Sequence, residues 1–206
     1  MNLHKYSSHA EYVATQVRAN KRKLNTVYVD AEAIPALVET LLKFVPSVCF
    51  GICHGTRRGV EQECFIQALS ARGQKAEVIG TELSPTATSF SHTIQWDFHD
   101  VKPEWIGAVD FIYSNSLDHS YDPELCLSRW MSCLSDGGLC IIEWDKAHGG
   151  GSVSDPFSAT IDEFREFVSN SHDLVEEVIV PGNKKRGDSH FVLLKTVRKE
   201  GADGSA

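Results

Sequence analysis

Residues 109–144, VDFIYSNSLDHSYDPELCLSRWMSCLSDGGLCIIEW, hold a strand, a polar loop, a helix and a second strand in direct succession. The segments 109–114 and 139–144 are short apolar runs that predict buried strands. Asp122 followed by Pro123 predicts a helix start, because a carboxylate caps free N–H groups and proline fits the first helical position. The stretch therefore predicts a strand–helix–strand unit with a polar loop at the mouth of its first strand.

The same alternation continues on both sides of this unit. Toward the N-terminus we expect strands at 47–52, 77–80 and 93–96, and an extended run at 26–29. A first helix is expected at 8–22, and a second begins after its cap, Asp30, with Pro35 in its first turn. A third helix is expected at 59–72, where Gly73 ends it. Toward the C-terminus we expect a turn at Asp136-Gly137-Gly138 before the strand at 139–144, a helix at 159–170, and strands at 173–180 and 190–197 joined by a basic turn with solvated Lys184, Lys185 and Arg186.

Repeated strand–helix–strand units with apolar strands predict an α/β fold, with a mostly parallel sheet covered on both faces and an antiparallel C-terminal hairpin. We expect a single domain over residues 1–200, made of an N-terminal helical cap (1–45) and a core (46–200). The final residues, 201–206, are polar and small, and we expect them to be disordered.

Composition excludes several other classes of protein. The 206 residues are 42% apolar and 23% charged, as in ordinary globular domains, and the net charge of −8 disfavours a nucleic-acid partner. Because no apolar run approaches about 18 residues and the first 16 residues lack an apolar signal core, we expect a cytoplasmic protein without a membrane span. The six cysteines form no C-x2-C pair, so we expect reduced, mostly buried thiols rather than a zinc site.

Candidate binding residues follow the carboxyl ends of the predicted strands, where open α/β sheets bind ligands. The turn 51–59, GICHGTRRG, lets backbone approach a ligand at a helix N-terminus. Glu82 is placed to accept hydrogen bonds from the vicinal hydroxyls of a ribose, although a solvated strand-end acid is an equal alternative. Asp97 and Phe98 can hold an adenine, through its exocyclic amine and its ring face, or belong to an ordinary loop.

Three of these segments together carry a family resemblance. VIGTELSP (78–85), WDFHD (96–100) and the stretch 109–144 resemble class I S-adenosylmethionine-dependent methyltransferases of the broad small-molecule type. The resemblance covers about residues 45–197 and is most specific in 109–144. It implies a Rossmann-like, doubly wound seven-stranded sheet, S-adenosylmethionine as the cofactor and a small-molecule acceptor, and it leaves the acceptor atom and the oligomeric state open.

The resemblance also implies which residues contact the cofactor: Gly51, Cys53, His54, Gly55, Thr56, Arg57, Glu82, Leu83, Asp97, Phe98, Asn115 and Ser116. The first motif departs from the family pattern acid-x-Gly-x-Gly-x-Gly. With Gly55-Thr56 on the central Gly-Thr, Gly51 stands at the acidic position, Cys53 at the first glycine and Arg57 at the last. Arg57 can instead pair with the methionine carboxylate of the cofactor.

His119 is the candidate general base, because it follows the fourth central strand and a neutral imidazole accepts a proton near neutral pH. Asp118 can orient His119 or act itself. Other polar and aromatic residues have weaker assignments: pocket-lining or ordinary strand-end roles for Glu143, Trp144, Asp145 and His148, a structural role for His99, and lid contacts for Tyr6 and Tyr12. No metal site is expected, because the spacing of acids and histidines is not diagnostic of one.

Two other functions compete with methyl transfer. The altered first motif is compatible with a catalytically silent binding or scaffold protein on the same fold. A glycine turn and a strand-end acid also fit an NAD-dependent oxidoreductase, but none of the five tyrosines has a lysine four residues on, as short-chain reductases require. Cofactor titration separates the first alternative from the enzyme.

Overall fold

The computed structural model describes residues 1–181 and 188–195, so Lys184, Lys185, Arg186 and the tail 201–206 lie outside the described residues. In chain order the elements are β1 (Asn2–Leu3), α1 (His9–Lys23), α2 (Ile34–Phe44), β2 (Phe50–His54), α3 (Val60–Ser70), β3 (Glu77–Glu82), β4 (Thr93–Gln95), β5 (Val109–Ser114), α4 (Pro123–Cys133), β6 (Leu134–Asp145), β7 (Phe157–Ser158), α5 (Ile161–Ser169), β8 (Asp173–Val180) and β9 (Ser189–Lys195).

Within the described residues, the main sheet has seven strands in the order β4-β3-β2-β5-β6-β9-β8. The first five strands are parallel, β9 is antiparallel to β6, and β8 is antiparallel to β9. This arrangement confirms the predicted Rossmann-like, mostly parallel sheet with an antiparallel C-terminal hairpin. The order reverses between β2 and β5, and ligands bind at such a switch point in this class of sheet.

Local sequence explains how the principal helices begin. The Asp122 side chain accepts a hydrogen bond from the Leu125 backbone N–H at 3.0 Å, which confirms the predicted start of α4. Ser8 caps α1 by accepting from Glu11 N, and Thr160 with Glu163 forms a complete capping box at α5.

Apolar residues pack on both faces of the sheet. One cluster includes Trp130 and Trp144 and lies beside α4 and α5, whereas the other includes Phe65 and Phe111 and lies beside α2 and α3. All six cysteines are free; four are buried as expected, but Cys49 is exposed and Cys64 is half-buried. No helix among the described residues has the length and apolar character needed to cross a membrane.

Three local predictions are wrong. Residues 26–29, expected to be a short extended run, form a loop that pairs with no strand among the described residues, because Val27 and Tyr28 lie exposed at the surface. Asp30 does not cap α2, whose N-cap is Ala33; its carboxylate accepts from Glu32 N and closes the preceding turn.

The third difference lies at Gly137-Gly138, where we expected a turn separating α4 from the next strand. Strand β6 already begins at Leu134, which pairs with Val109, and the register then shifts before Phe111 pairs with Leu139. A small antiparallel sheet of β1 and β7 was also missed. Two-residue strands leave too little periodicity to be recognised from sequence.

Candidate functional site

The switch point brings the turn after β2 against the loop after β5. His54 and Ser114 are the last paired residues of these two parallel strands, so Gly55 lies close to Ser116. Gly55 has φ +75°, and a Cβ there would lie 2.5 Å from Ser116 Cβ. Only glycine fits both this backbone conformation and this close approach.

A groove with two chambers opens at this point. The wide chamber, about 220 Å³, extends toward the end of β6, and the narrow chamber, about 50 Å³, extends toward the end of β3. The two chambers are contiguous, since both are lined by Lys23, Gly55, Arg57, Ser116 and His119.

The narrow chamber lies between the carboxyl end of β3 and helix α1. Glu82, Leu83 and Phe98 form one side, and α1 closes the other with Tyr12 and Asn20. Burial raises the pKa of the Glu82 carboxyl, although one of its oxygens accepts a 2.7 Å hydrogen bond from Ser84 N. The Asn20 side chain faces the Glu82 carboxylate and lowers its pKa through a hydrogen bond. This chamber therefore offers a carboxylate, an amide beside it and an aromatic ring to a ligand.

Three residues of the first motif have side chains that do not line either chamber. His54 is buried, stacks on Trp130 with ring centroids 4.7 Å apart, and hydrogen-bonds Thr81 Oγ1 at 2.8 Å. Cys53 is fully buried in the core beside α3, and a Cβ on Gly51 would collide with Phe111. The structure assigns these side chains to packing, in contrast to the predicted cofactor contacts.

Asp97 also lies outside both chambers, whereas the adjacent Phe98 lines the narrow one. Its two carboxylate oxygens are bound by histidines, Oδ1 by His99 Nδ1 at 2.7 Å and Oδ2 by His9 Nε2 at 3.1 Å. Burial alone raises the pKa of Asp97, but the hydrogen bonds from His99 lower it overall. Both oxygens therefore already have partners within the chain, and His99 has the structural role expected for it.

His119 lies at the junction of the two chambers. Its Nδ1 is 2.8 Å from the carbonyl oxygen of Ser154 and 3.0 Å from Gln16 Oε1. A carbonyl oxygen can only accept a hydrogen bond, so Nδ1 carries the proton and Nε2 presents its lone pair. Nε2 lies 3.9 Å from Asp118 Oδ1, a buried oxygen with no hydrogen-bond partner.

His148 approaches the same oxygen of Asp118 as His119 does. Its Nε2 lies 4.0 Å from Asp118 Oδ1, its Nδ1 lies 3.1 Å from Asp145 Oδ1, and its ring stacks on Trp144. Burial alone lowers the pKa of His148, but the carboxylates of Asp118 and Asp145 raise it to about 9. The raised pKa favours the imidazolium at neutral pH, in which Nδ1 donates to Asp145 Oδ1 and gives up the 2.8 Å hydrogen bond that it accepts from Asp145 N as a neutral ring.

Two more carboxylates line the deep wall of the wide chamber. Glu61, in the first turn of α3, and Glu143, near the end of β6, are 7% and 5% exposed. Burial raises the pKa of Glu61 to about 7 and also raises that of Glu143. Asn115 Nδ2 approaches Glu61 Oε1 at 3.5 Å, so this predicted cofactor residue faces the same wall.

Asp155 completes the acidic part of the groove. Together with Asp118 and His119, it brings ligand-type atoms within 4.8 Å of one another, an arrangement that the sequence did not predict. The Lys23 ammonium lies 3.8 Å from Asp155 Oδ1, so a cation of the chain itself already faces this carboxylate.

Arg57 lies at the mouth of the groove in the left-handed backbone region, with φ +45°. Its guanidinium stacks over the Tyr28 ring at 4.8 Å and donates to the Thr26 carbonyl at 3.2 Å. Thr56 lines the wide chamber beside it. The loop 26–29, expected to be a short extended run, therefore serves as a wall of the chamber.

Several groove residues were missed by sequence reasoning. On α1, Gln16, Asn20 and Lys23 share one face, a pattern visible once the helix is expected to cover the site. Glu61 follows the glycine turn 51–59 by two residues, so its position near the carboxyl end of β2, in the first turn of α3, could also have been predicted from the sequence. Asp155 carried no signal, because its position depends on the path of the loop after β6. Of the two expected lid tyrosines, Tyr12 lines the narrow chamber, whereas Tyr6 donates a hydrogen bond to the Val153 carbonyl.

Comparison with known proteins identifies the fold. No protein-family model matches the chain, and no curated sequence matches it. Among solved structures, a 1,6-didemethyltoxoflavin-N1-methyltransferase from Burkholderia thailandensis, with bound 1,6-didemethyltoxoflavin and S-adenosylhomocysteine, is similar with a TM-score of 0.71 at 15% identity, over 93% of this chain and 92% of that one.

Two further structures agree. The N-methyltransferase NodS from Bradyrhizobium japonicum, in complex with S-adenosylhomocysteine, has a TM-score of 0.64 at 13% identity, covering 89% of this chain and 99% of that one. A geranyl diphosphate C-methyltransferase from Streptomyces coelicolor, in complex with Mg²⁺, geranyl diphosphate and S-adenosylhomocysteine, has a TM-score of 0.59 at 13% identity, covering 93% and 100%. The chain therefore has the Rossmann-like fold of class I S-adenosylmethionine-dependent methyltransferases.

Proposed function

We propose that the protein is an enzyme that transfers a methyl group from S-adenosylmethionine to a small-molecule acceptor. The observation that carries this proposal is the continuity of the groove, in which Glu82 and Phe98 occupy one end and His119 the junction with a second chamber. In this fold the groove lies at the switch point of the sheet, the usual ligand site. The solved structures with S-adenosylhomocysteine support the choice of cofactor.

The residues of the narrow chamber fit this cofactor. The Asn20 amide and the partly engaged Glu82 carboxylate lie together in the chamber and match the hydrogen-bond acceptors and donors of a ribose. We assign Glu82 to the ribose hydroxyls, Leu83 and Phe98 to the adenine face, and the backbone of Gly55 with Ser116 to the methionine end. In this assignment Arg57 supplies the positive charge that faces the methionine carboxylate.

Bound S-adenosylmethionine would supply an electrophilic methyl group on a sulfonium sulfur. The chain's contribution is to hold the acceptor in line with that methyl group in the wide chamber. For a hydroxyl acceptor, His119 Nε2 takes the proton as the oxygen–carbon bond forms and the carbon–sulfur bond breaks, whereas an ammonium acceptor gives its proton to Nε2 first and the freed nitrogen lone pair then attacks the methyl carbon. Asp118 then faces the imidazolium so formed, and the Ser154 carbonyl holds the ring through Nδ1.

Calorimetric titration tests the cofactor assignment. S-adenosylmethionine, S-adenosylhomocysteine and, as a control ligand, NAD are titrated into the wild type, Glu82→Ala and Glu77→Ala. Glu77 is the matched control, because it lies at the opposite, exposed end of the same strand. We expect both sulfur ligands to bind the wild type and Glu77→Ala, and to bind Glu82→Ala at least about tenfold more weakly, since hydrogen bonds to a charged group contribute about 1.5–3 kcal/mol.

The opposite results are equally informative. If neither sulfur ligand binds the wild type, the enzyme assignment is wrong and a catalytically silent protein on this fold is the better description. If NAD binds and the sulfur ligands do not, the oxidoreductase alternative replaces it.

A further inference from the structure

The deep wall of the wide chamber buries two carboxylates that the proposed methyl transfer does not use. Glu61 extends from the first turn of α3, and Glu143 from the adjacent end of β6. Both line the chamber, yet each is less than a tenth exposed. Burying a carboxylate is costly unless partners replace its hydration.

The chain replaces that hydration only in part. The buried Oε2 of Glu61 has no hydrogen-bond partner, whereas the rest of this carboxylate is supported by the 3.5 Å contact of Oε1 with Asn115 Nδ2 and by the backbone N–H of Glu61 itself. Glu143 is better satisfied, because it accepts hydrogen bonds from the Tyr113 hydroxyl, at 2.7 Å to Oε2, and from the Ser189 side chain. Each carboxylate also raises the pKa of the buried Tyr113, which places the three groups together. The wall of the chamber therefore contains a buried carboxylate oxygen, Glu61 Oε2, whose hydrogen-bonding capacity the chain leaves unused.

The basic side chains of the groove are engaged elsewhere. Lys23 faces Asp155, Arg57 stacks on Tyr28, and Arg58 lies over the Phe90 ring at 5.9 Å. Arg57 lowers the pKa of Glu61, and His148 lowers the pKa of Glu143, in both cases through space. Within the described residues, however, no salt bridge includes either glutamate. Among the described residues, no basic side chain therefore forms an ion pair with the acidic wall, so a cation that binds there would favour the ionised form of both glutamates.

We propose that Glu61 and Glu143 form a recognition site for a protonated amine on the methyl acceptor. The inference rests on the proposed function, because the chamber is taken to be the acceptor side of the groove. An ammonium group donates up to three hydrogen bonds, one of which the unpartnered Oε2 of Glu61 can accept, and its charge offsets the desolvation of the carboxylates. A carboxylate or phosphate at this position would instead meet two like charges. The net charge of −8 also favours the approach of a cation.

Matched amine and alcohol probes test this site. Butylammonium chloride, butane-1,4-diamine dihydrochloride and butanol are titrated into the complex with S-adenosylhomocysteine, at ionic strength matched with sodium chloride, and followed by calorimetry and thermal shift. We expect the amines, but not butanol or sodium chloride, to bind and stabilise the wild type. Glu61→Gln and Glu143→Gln are expected to weaken amine binding at least about tenfold, the size of one charge-assisted hydrogen bond. Glu63→Gln, on the exposed side of the same helical turn, is expected to bind amines like the wild type.

Three results would overturn the assignment. Amines that act no differently from sodium chloride would show that the pair is not an ammonium site, as would unchanged amine binding in folded Glu61→Gln. The third concerns the cofactor's own amino group: if Glu61→Gln weakens S-adenosylhomocysteine but not 5′-methylthioadenosine, which lacks the amino acid, the pair holds the cofactor and not the acceptor. Failure of the wild type to bind S-adenosylhomocysteine refutes the proposed function separately, and the amine titration is then read on the unliganded protein.

Discussion

At the scale of single residues, contact with Phe111 explains why a glycine, Gly51, stands at the acidic position of the first motif. The two residues are partners across the parallel pair β2–β5, and the Phe111 ring covers Gly51. A Cβ on Gly51 would lie 2.1 Å from Phe111 Cε1, and the ring itself packs on Phe65 at 4.9 Å. An aromatic side chain thus fills the space that a longer residue at position 51 would need.

Gly51→Ala is therefore expected to destabilise the fold by about 1–3 kcal/mol, the usual cost of overpacking a core. This cost exceeds the roughly 0.5–1 kcal/mol that replacing a strand glycine by alanine otherwise gains. Urea unfolding measures the change. In the double variant Gly51→Ala/Phe111→Leu, the smaller side chain should recover part of the loss relative to Phe111→Leu alone. Additive effects of the two substitutions would contradict steric coupling.

Glu61 gives a second residue-scale prediction, which needs no ligand. Burial raises its folded pKa from 4.5 to about 7, so the folded state binds the extra proton between these values. Stability attributable to Glu61 is then present below pH 4.5 and lost as the pH rises to 7. Glu61→Gln mimics the protonated acid, so it should match the wild type near pH 4 and exceed its stability near pH 8, by at most about 3 kcal/mol. Thermal unfolding at both pH values checks this, and equal differences at the two values would show that Glu61 does not titrate in this way.

At the scale of elements, α1 is the wall that limits the size of the narrow chamber. A chamber of about 50 Å³ is well below the roughly 300–1,000 Å³ of typical ligand sites, so α1 has to move outward to admit a nucleoside. Gln16 fastens the helix by donating to the Ser154 carbonyl at 3.0 Å and accepting from His119 Nδ1.

Gln16→Ala is expected to speed the association of S-adenosylhomocysteine several-fold. It removes two hydrogen bonds, each contributing about 0.5–1.5 kcal/mol, that break when α1 opens. Stopped-flow fluorescence measures the association rate, with Arg18→Ala, on the exposed side of the same helix, as the control. An association rate that is unchanged or slower in Gln16→Ala would show that opening of α1 does not limit entry.

The elements also show how far the sequence determines the site. The apolar runs and the Asp122-Pro123 helix start predicted the sheet and α4, because local pattern and tertiary burial agree there. Glu82, Phe98 and His119 line the groove, since each follows a strand at its carboxyl end. Cys53 and His54 point to opposite covered faces of the sheet, as neighbouring strand residues do, so neither side chain reaches the groove at the end of β2. The position of Asp155 depends on a loop whose path has no local signal.

At the scale of the whole molecule, His148 links the acidic groove to global stability. Its folded pKa is about 9, against 6.5 for an ordinary histidine, because Asp118 and Asp145 outweigh the effect of burial. For a histidine with a raised pKa, the stabilisation is complete below pH 6.5 and disappears as the pH rises through 9. Glu61, with a folded pKa of about 7, is half titrated at pH 7 and causes only a minor further loss of stability above it, and burial raises the pKa of Cys133 to about 11, above this range.

The melting temperature is therefore expected to fall between pH 7 and pH 9, mainly through loss of the His148 proton. The upper limit of the change is about 3 kcal/mol, from the size of the pKa shift. His148→Gln should be less stable than the wild type at pH 7 and show a flatter profile up to pH 9, because it has no proton to lose. His4→Gln, at an exposed position, should keep the wild-type slope. A wild-type profile that is flat or rises over this range would mean that the carboxylates of the groove do not hold His148 in its cationic form, and the charge balance of the wide chamber would have to be reassigned.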